Sequence, residues 1–307
     1  MRRLERRNLV WLLAAGLALN LLLPRFPELR QSVHAVRSMQ WEWLLLAALC
    51  AACTEPAAAL SLTGAVERPL AFQHTVLVQM ASTFWGRVTP KGIGGVALLE
   101  HYLERSGIER PMAVAAIATT MLASMLVHMP SLLLASLLMG APEALRLRLP
   151  ALWPAVVLPL AALPAGAALC MRSAAIQRRL DALRHALHDV WRLLRHPKQA
   201  AKLFLGAALV IASKTLTLAI CLKAFGAELS LWSVATLYLG GAAVSNASPA
   251  PGGLGALEAA LVVGLSALGM QPGAALAGVL AFRLLTFWLP MAPAALISHW
   301  LQRRMVI

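Results

Sequence analysis

Long apolar segments alternate with short polar stretches along the whole chain. The apolar segments lie at about 8–24, 41–62, 111–139, 150–171, 201–225 and 272–301. Each approaches the roughly 20 residues that an α-helix needs to cross about 30 Å of hydrocarbon. Because a lipid-exposed backbone must satisfy its own hydrogen bonds, each segment is expected to be a helix. The pattern predicts an all-α polytopic integral membrane protein with about six transmembrane helices.

Two further segments, 70–88 and 231–249, each run into a Pro-Gly stretch that is followed by a short helix. The stretches PKGIG (90–94) and PGGLG (251–255) share the pattern Pro-x-Gly-[Ile/Leu]-Gly and lie 161 residues apart. Although Gly- and Pro-rich segments also match by chance, other Gly and Pro positions keep nearly the same offset. The sequence therefore predicts a duplicated unit, with repeat 1 at about 41–139 and repeat 2 at about 201–301.

The basic residues predict the topology of these repeats. The amphipathic connector 172–200, the N-terminus and the C-terminal Arg303-Arg304 are all basic, and such segments favour the cytoplasmic side. They share one side only if 70–107 and 231–269 are re-entrant hairpins instead of full spans. The repeats are then antiparallel, the inverted arrangement with broken helices that is typical of transporters. We expect a single membrane domain over residues 1–307, with a connector that lies on the anionic leaflet.

The segment SPAPGGLGALEAALVVGLSALGM (248–270), followed by FRLLTFWLP (282–290), resembles the C-terminal signature of the lysylphosphatidylglycerol synthase transmembrane-region family. This is the flippase-like domain of bacterial multiple peptide resistance factors. The chain resembles a stand-alone member without the aminoacyl-transferase domain. The resemblance implies lipid translocation or a related lipid-handling role, and not lysine transfer. It also implies a bacterial inner membrane location, and the basic residues described above place both termini on the cytoplasmic side.

Polar and ionisable side chains inside the apolar segments are the candidates for substrate binding, because such groups are costly in a membrane. Lys214 and Arg283 lie in the middle of their apolar segments. Arg87 and Lys91 flank the first Pro-Gly stretch, and we expect them either to bind a lipid phosphate or to extend to the membrane interface. Glu258 is expected to pair with Arg283 or to relay protons. The candidate set is Arg87, Thr89, Lys91, Lys214, Ser245, Asn246, Ser248, Glu258 and Arg283.

Two other features of the hairpins belong to this prediction. Glu55 is a further candidate, as a carboxylate that neutralises a cation such as Lys214. The short helices are expected to start after Gly95 and Gly255, with the positive ends of their dipoles directed at an anionic headgroup. The serine, threonine and asparagine side chains would add hydrogen bonds to the headgroup or satisfy the unwound backbone.

Composition and motif content exclude several classes of function. The 27 Lys and Arg residues against 13 Asp and Glu residues give a net charge of +14, which we attribute to cytoplasmic loops and not to nucleic-acid binding. The four cysteines lie in apolar segments and are interpreted as small hydrophobic residues, so no metal is expected. No hydrolase, metalloprotease or P-loop motif occurs, so we expect no enzyme and no cofactor.

The sequence favours a flippase-like translocase whose partners are membrane phospholipids, with anionic headgroups preferred. A polyprenyl-phosphate carrier and a hopanoid carrier stay open. So does a non-transporting scaffold whose connector recruits a lipid-modifying enzyme. The sequence also leaves open whether the chain forms homo-oligomers.

Overall fold

The structure is a computed structural model that describes residues 39–89, 92–139, 196–248 and 251–303. All regular elements in these ranges are helical. The predicted spans 8–24 and 150–171 and the connector up to residue 195 lie outside the described residues. Lys91 and the two residues 249–250 lie outside them as well.

Repeat 1 contains five helices: α1 Trp41–Ala52, α2 Thr54–Gly64, α3 Phe72–Val88, α4 Ile93–Arg105 and α5 Arg110–Leu138. Helices α1 and α2 form one apolar rod of 24 residues.

The break between α1 and α2, at Cys53, has a local cause. Pro56 has no N–H to donate to the carbonyl of Ala52, so the helical hydrogen bonding is interrupted one turn before it.

Repeat 2 has the same order of elements: α6 Pro197–Ala224, α7 Leu231–Ala247, α8 Ala256–Ala267 and α9 Pro272–Arg283, continued by α10 Met291–Arg303. A single 3₁₀ turn precedes α8, and a π-helical turn over Leu284–Trp288 joins α9 to α10.

The two short helices α4 and α8 end in the same way. Gly107 and Gly269 have φ values of +80° and +88°, a region that glycine adopts without strain. The amide of Ile108 donates to the carbonyl of Leu103, and the amide of Met270 donates to the carbonyl of Leu265, each at 3.1 Å. These bonds define a Schellman motif at the end of each of the two short helices.

Four rods in the described residues are long and apolar enough to cross a membrane: Trp41–Gly64, Arg110–Leu138, Pro197–Ala224 and Pro272–Arg303. Each repeat begins and ends with one of these rods, which we call its opening span and its closing span. The helices between them are shorter, at 17 and 13 residues in repeat 1 and 17 and 12 residues in repeat 2. In each repeat a pair of short helices therefore packs between two spans.

The opening spans of the two repeats run antiparallel. The amide of Gln40 donates to the carbonyl of Ala224 at 3.2 Å, so the start of α1 meets the end of α6. At the other end, Gly64 packs against the backbone of Leu203 so closely that a Cβ would lie 2.4 Å from its nitrogen. We call these two ends of the bundle the Ala224 end and the Gly64 end.

The hairpins open towards opposite ends of this bundle. In repeat 1 the side chain of Arg68, before α3, donates to the carbonyl of Gly107, after α4, at 3.0 Å, so both ends of the hairpin lie together near the Gly64 end. In repeat 2, Leu229 before α7 lies five residues after Ala224. Met270 after α8 precedes α9, whose Gly278 packs against Leu222 and Phe225 near the Ala224 end.

Each hairpin also packs against the closing span of the other repeat. Helix α3 contacts α10, and α7 contacts α5. The indole of Trp85 donates to Ser298 Oγ at 2.8 Å in the first contact. In the second, His128 Nε2 lies 3.2 Å from the carbonyl oxygen of Leu239, which agrees with a packing histidine. The two repeats are thereby interlocked around a shared centre.

Three predicted boundaries differ from the structure. Helix α4 begins at Ile93, so Gly95 lies inside it, because Gly92 takes the left-handed conformation (φ +73°) that starts the helix earlier. Helix α6 begins at Pro197, since proline is well suited to the first helical position, and residues 197–200 belong to it instead of the connector. The last span, predicted as continuous, contains the π-helical turn.

Candidate functional site

An ion pair joins the second hairpin to the closing span of its own repeat, as predicted. Arg283 Nε lies 2.6 Å from Glu258 Oε1, and the arginine is only 6% exposed. The other carboxylate oxygen of Glu258 accepts a hydrogen bond from the amide of Gly255 at 2.8 Å, which caps α8. The guanidinium also reaches the carbonyl of Gly252 at 3.4 Å. Glu258 therefore holds Arg283 against the start of the short helix.

A second arginine, from the first hairpin, binds the π-helical turn. Arg87 Nη1 donates to the carbonyl of Phe287 at 2.5 Å, and Nη2 donates to that of Thr286 at 2.7 Å. In a regular helix the carbonyl of Thr286 would accept from residue 290, but Pro290 has no N–H. Arg87 therefore satisfies a carbonyl that the local sequence leaves without a helical donor.

Both arginines contact the same aromatic ring. The Cζ atoms of Arg87 and Arg283 lie 4.6 and 4.4 Å from the ring centroid of Phe287, which is within the range of cation–π attraction. Gly252 packs on this ring so tightly that a Cβ would come within 2.6 Å of it. Phe287 thus joins the ends of the two hairpins.

A carboxylate and an ammonium from the two opening spans complete the cluster. Thr83 Oγ1 lies 3.1 and 3.2 Å from the two carboxylate oxygens of Glu55 and donates to them. Arg87 lies one turn after Thr83 on α3, and Lys214 lies on α6, which packs against the helix α9 that ends at Arg283. Within the described ranges, no hydrogen bond or ion pair within 4.0 Å engages the Lys214 ammonium.

The antiparallel packing of α1–α2 on α6 explains why Glu55 and Lys214 meet. Thr54 and Ser213, their immediate neighbours, form a hydrogen bond of 2.8 Å between the two spans. Lys214 is ten residues from the end of α6 and Glu55 is nine residues from the end of α2, which correspond to about 15 and 14 Å. Both residues therefore lie in the middle third of their spans, Trp41–Gly64 and Pro197–Ala224.

The predicted neutral residues divide into two groups. Thr89 accepts from the amide of Gly94 at 2.8 Å and so caps α4, which satisfies the unwound backbone. Ser245 packs against Gly253, whose Cβ would lie 1.7 Å from the serine hydroxyl. Asn246 is exposed and Ser248 is half-buried next to the second Pro-Gly stretch. The structure therefore gives Thr89 and Ser245 a role in the backbone turns.

The sequence analysis did not identify Phe287 or Thr83 as residues of the site. It named Glu55 only as a carboxylate that neutralises a cation. Pro290 was the available signal for the exposed carbonyl of Thr286, because a proline always leaves one carbonyl without its helical donor. Thr83 lies one turn before Arg87 on α3, so helical spacing places both side chains on one face.

No group of three or more His, Cys, Asp or Glu side chains that could hold a metal ion occurs within residues 39–89, 92–139, 196–248 and 251–303. The cations of the cluster instead suit an anionic ligand that is bound directly by the protein.

Comparison with known families agrees with the resemblance seen in the sequence. The model of the family described as "Lysylphosphatidylglycerol synthase TM region" matches residues 7–294, which is nearly the whole chain. The chain therefore belongs to this family of membrane proteins with a lipid-related role. No curated protein matches the chain.

Proposed function

We propose that this family member is a lipid translocase that moves anionic or phosphate-bearing headgroups across the bacterial inner membrane. The observation that carries the proposal is the convergence of Arg87, Lys214 and Arg283 from three different helices, at mid-depth, where the two hairpins meet. Charged groups at this depth are costly and are retained for function.

The chemistry of these three cations suits a phosphate. Arginine offers a planar set of N–H donors that matches phosphate oxygens, and lysine offers a compact point charge. The bonds of Arg87 go to neutral carbonyls, and a phosphate makes stronger, charge-assisted bonds with the same donors. Lys214, without a direct partner in the described residues, is available to a headgroup.

The antiparallel repeats support alternating access to the site. Hairpins that open towards opposite ends give each side of the membrane its own path to the centre, as in transporters with inverted repeats. In our proposal the headgroup crosses between the hairpins while its acyl chains stay in the lipid. Rocking of one repeat against the other would close one path and open the other.

The charges of the described residues support an orientation for this movement. Around the Gly64 end lie the basic residues Arg68, Arg105, Arg110, Lys198, Lys202 and Arg303, whereas Lys223 is the basic residue near the Ala224 end. Cytoplasmic loops carry an excess of lysine and arginine. We infer that the Gly64 end is cytoplasmic and that the first hairpin enters from that side.

Headgroup translocation in proteoliposomes tests the proposal. Wild-type protein and Arg283→Ala are reconstituted with fluorescent anionic or zwitterionic phospholipids, and the label in the outer leaflet is quenched chemically. We expect the wild type to expose protected anionic lipid faster than empty vesicles do, and Arg283→Ala to abolish the gain. Lys214→Gln, which leaves the Glu258 ion pair intact, should reduce the rate without loss of folding.

Wild-type protein that moves no phospholipid faster than empty vesicles contradicts phospholipid translocation. A polyprenyl phosphate tested in the same vesicles then decides whether another phosphate-bearing lipid is carried. Activity that survives both substitutions would contradict the assigned site.

A further inference from the structure

Glu55 is the less strongly bonded of the two carboxylates in the charged cluster. It accepts from one hydroxyl, that of Thr83, and forms no ion pair within 4.0 Å in the described residues. Glu258, in contrast, has one oxygen on Arg283 and the other on a backbone amide. Glu258 is thus fixed by the fold, whereas Glu55 faces cations that no direct contact neutralises.

The charges of the cluster can be counted from these contacts. The pair of Arg283 and Glu258 is closed and electrically neutral. Arg87 lies one turn after Thr83, whose hydroxyl is bonded to Glu55. Lys214 follows Ser213, which is bonded to Thr54, the residue before Glu55. The carboxylate of Glu55 is thus the counter-charge beside both cations. Two cations against one carboxylate leave one net positive charge in the described part of the site.

We propose that Glu55 determines the specificity of the site, by limiting its free positive charge so that a monoanionic phosphodiester headgroup is preferred to a dianionic phosphomonoester. The inference rests on the proposed function, because it assigns the substrate class of the same site. In a medium from which water is largely excluded, an uncompensated charge is costly, so the headgroup whose charge matches that of the site binds best.

Substitution of Glu55 and substitution of Lys214 should change the preference between the two headgroups in opposite directions. Glu55→Gln adds one net positive charge and favours the dianionic headgroup, while Lys214→Gln removes one and disfavours it. One unit charge at about 10 Å and an effective dielectric constant of about 20 changes the relative binding of two ligands that differ by one charge on the order of tenfold.

The test compares two fluorescent lipids in proteoliposomes at pH 8. Phosphatidylglycerol is a monoanionic phosphodiester, and phosphatidate is a phosphomonoester that is mainly dianionic at this pH, since the second pKa of a phosphomonoester is about 6. The ratio of their translocation rates is measured for wild type, Glu55→Gln and Lys214→Gln. We expect the ratio to shift towards phosphatidate on the order of tenfold for Glu55→Gln and away from it for Lys214→Gln.

Two further variants separate charge from shape. Glu55→Asp keeps the charge and should keep the wild-type ratio, and Glu228→Gln removes an exposed carboxylate outside the cluster and should change nothing. An unchanged ratio in Glu55→Gln, or the same shift in Glu55→Asp, overturns the inference while translocation itself stands. If Glu55→Gln does not fold, the Lys214→Gln ratio decides, and absence of wild-type activity for both lipids counts against the proposed function instead.

Discussion

At the scale of single residues, the second Pro-Gly stretch depends on glycine for two separate reasons. Gly253 has φ +63° and lies so close to Ser245 that a Cβ would overlap the serine hydroxyl. Gly226 has a similar φ of +77°, but nothing lies within 4 Å of its Cβ position. The two glycines share the backbone conformation and differ in the space around them.

This difference predicts unequal costs of substitution. Gly226→Ala should destabilise the fold by about 1–2 kcal/mol, the cost of a left-handed backbone with a Cβ. Gly253→Ala should cost about 1–3 kcal/mol more, because Ser245 must also move. Chemical unfolding in detergent micelles measures both, and equal costs would show that the hairpin turn is not tightly packed.

Residue types alone gave the pairing of Glu258 with Arg283 as one of two expectations, because both are ionisable residues in apolar segments of repeat 2. Glu55 was also named as a counter-charge for Lys214, but the sequence did not define how the two residues come together. The two lie far apart in sequence, and their proximity depends on the register of two antiparallel spans, which only the packing defines.

At the scale of secondary-structure elements, the π-helical turn and Arg87 form one unit. The missing N–H of Pro290 exposes the carbonyl of Thr286, and Arg87 of the other repeat binds it. Pro290→Ala would restore a helical donor and make the arginine less necessary for the fold. We therefore expect the two positions to be energetically coupled.

A double-mutant cycle of Arg87→Gln and Pro290→Ala measures this coupling. Loss of Arg87 should cost less in the Pro290→Ala background, by about 0.5–3 kcal/mol in the free energy of unfolding. Additive costs would mean that the arginine does not stabilise the turn. Hydrogen exchange of residues 284–291 gives an independent measurement of the same segment.

The helices themselves were largely predictable from sequence, because the apolar segments and the Pro-Gly stretches define where each begins and ends. The start of α4 was predicted too late, since Gly92 and Gly95 are both compatible with a helix start. The π-helical turn was not predicted. The turn depends on a side chain from another helix, Arg87, that binds its free carbonyls. The sequence around the turn gives no information about that side chain.

At the scale of the whole molecule, the duplication was visible in the spacing of glycines and prolines, and the antiparallel relation of the repeats was inferred from charge. The contacts of Gln40 with Ala224 and of Gly64 with Leu203 show that the two opening spans run antiparallel, and the inverted relation of the whole repeats stays a prediction. Which end faces the cytoplasm depends on the surrounding membrane and stays a prediction from the positive-inside bias.

Cysteine accessibility tests this orientation. In a variant without the native cysteines, Glu67→Cys and Glu109→Cys flank the first hairpin, and Glu228→Cys and Gln271→Cys flank the second. In intact cells, an impermeant thiol reagent should label the second pair and leave the first pair unlabelled. Labelling of one member from each pair would contradict the re-entrant arrangement.

The most direct test of the central claim is anionic lipid translocation by two variants that lose the same charge in different places. Arg87→Gln with Lys214→Gln removes two cations from the cluster, and Lys202→Gln with Arg303→Gln removes two exposed cations from the Gly64 end. Our account predicts that the first variant translocates anionic phospholipid no faster than empty vesicles, while the second keeps the wild-type rate. Equal rates in the two variants would contradict a translocation site at the meeting point of the hairpins.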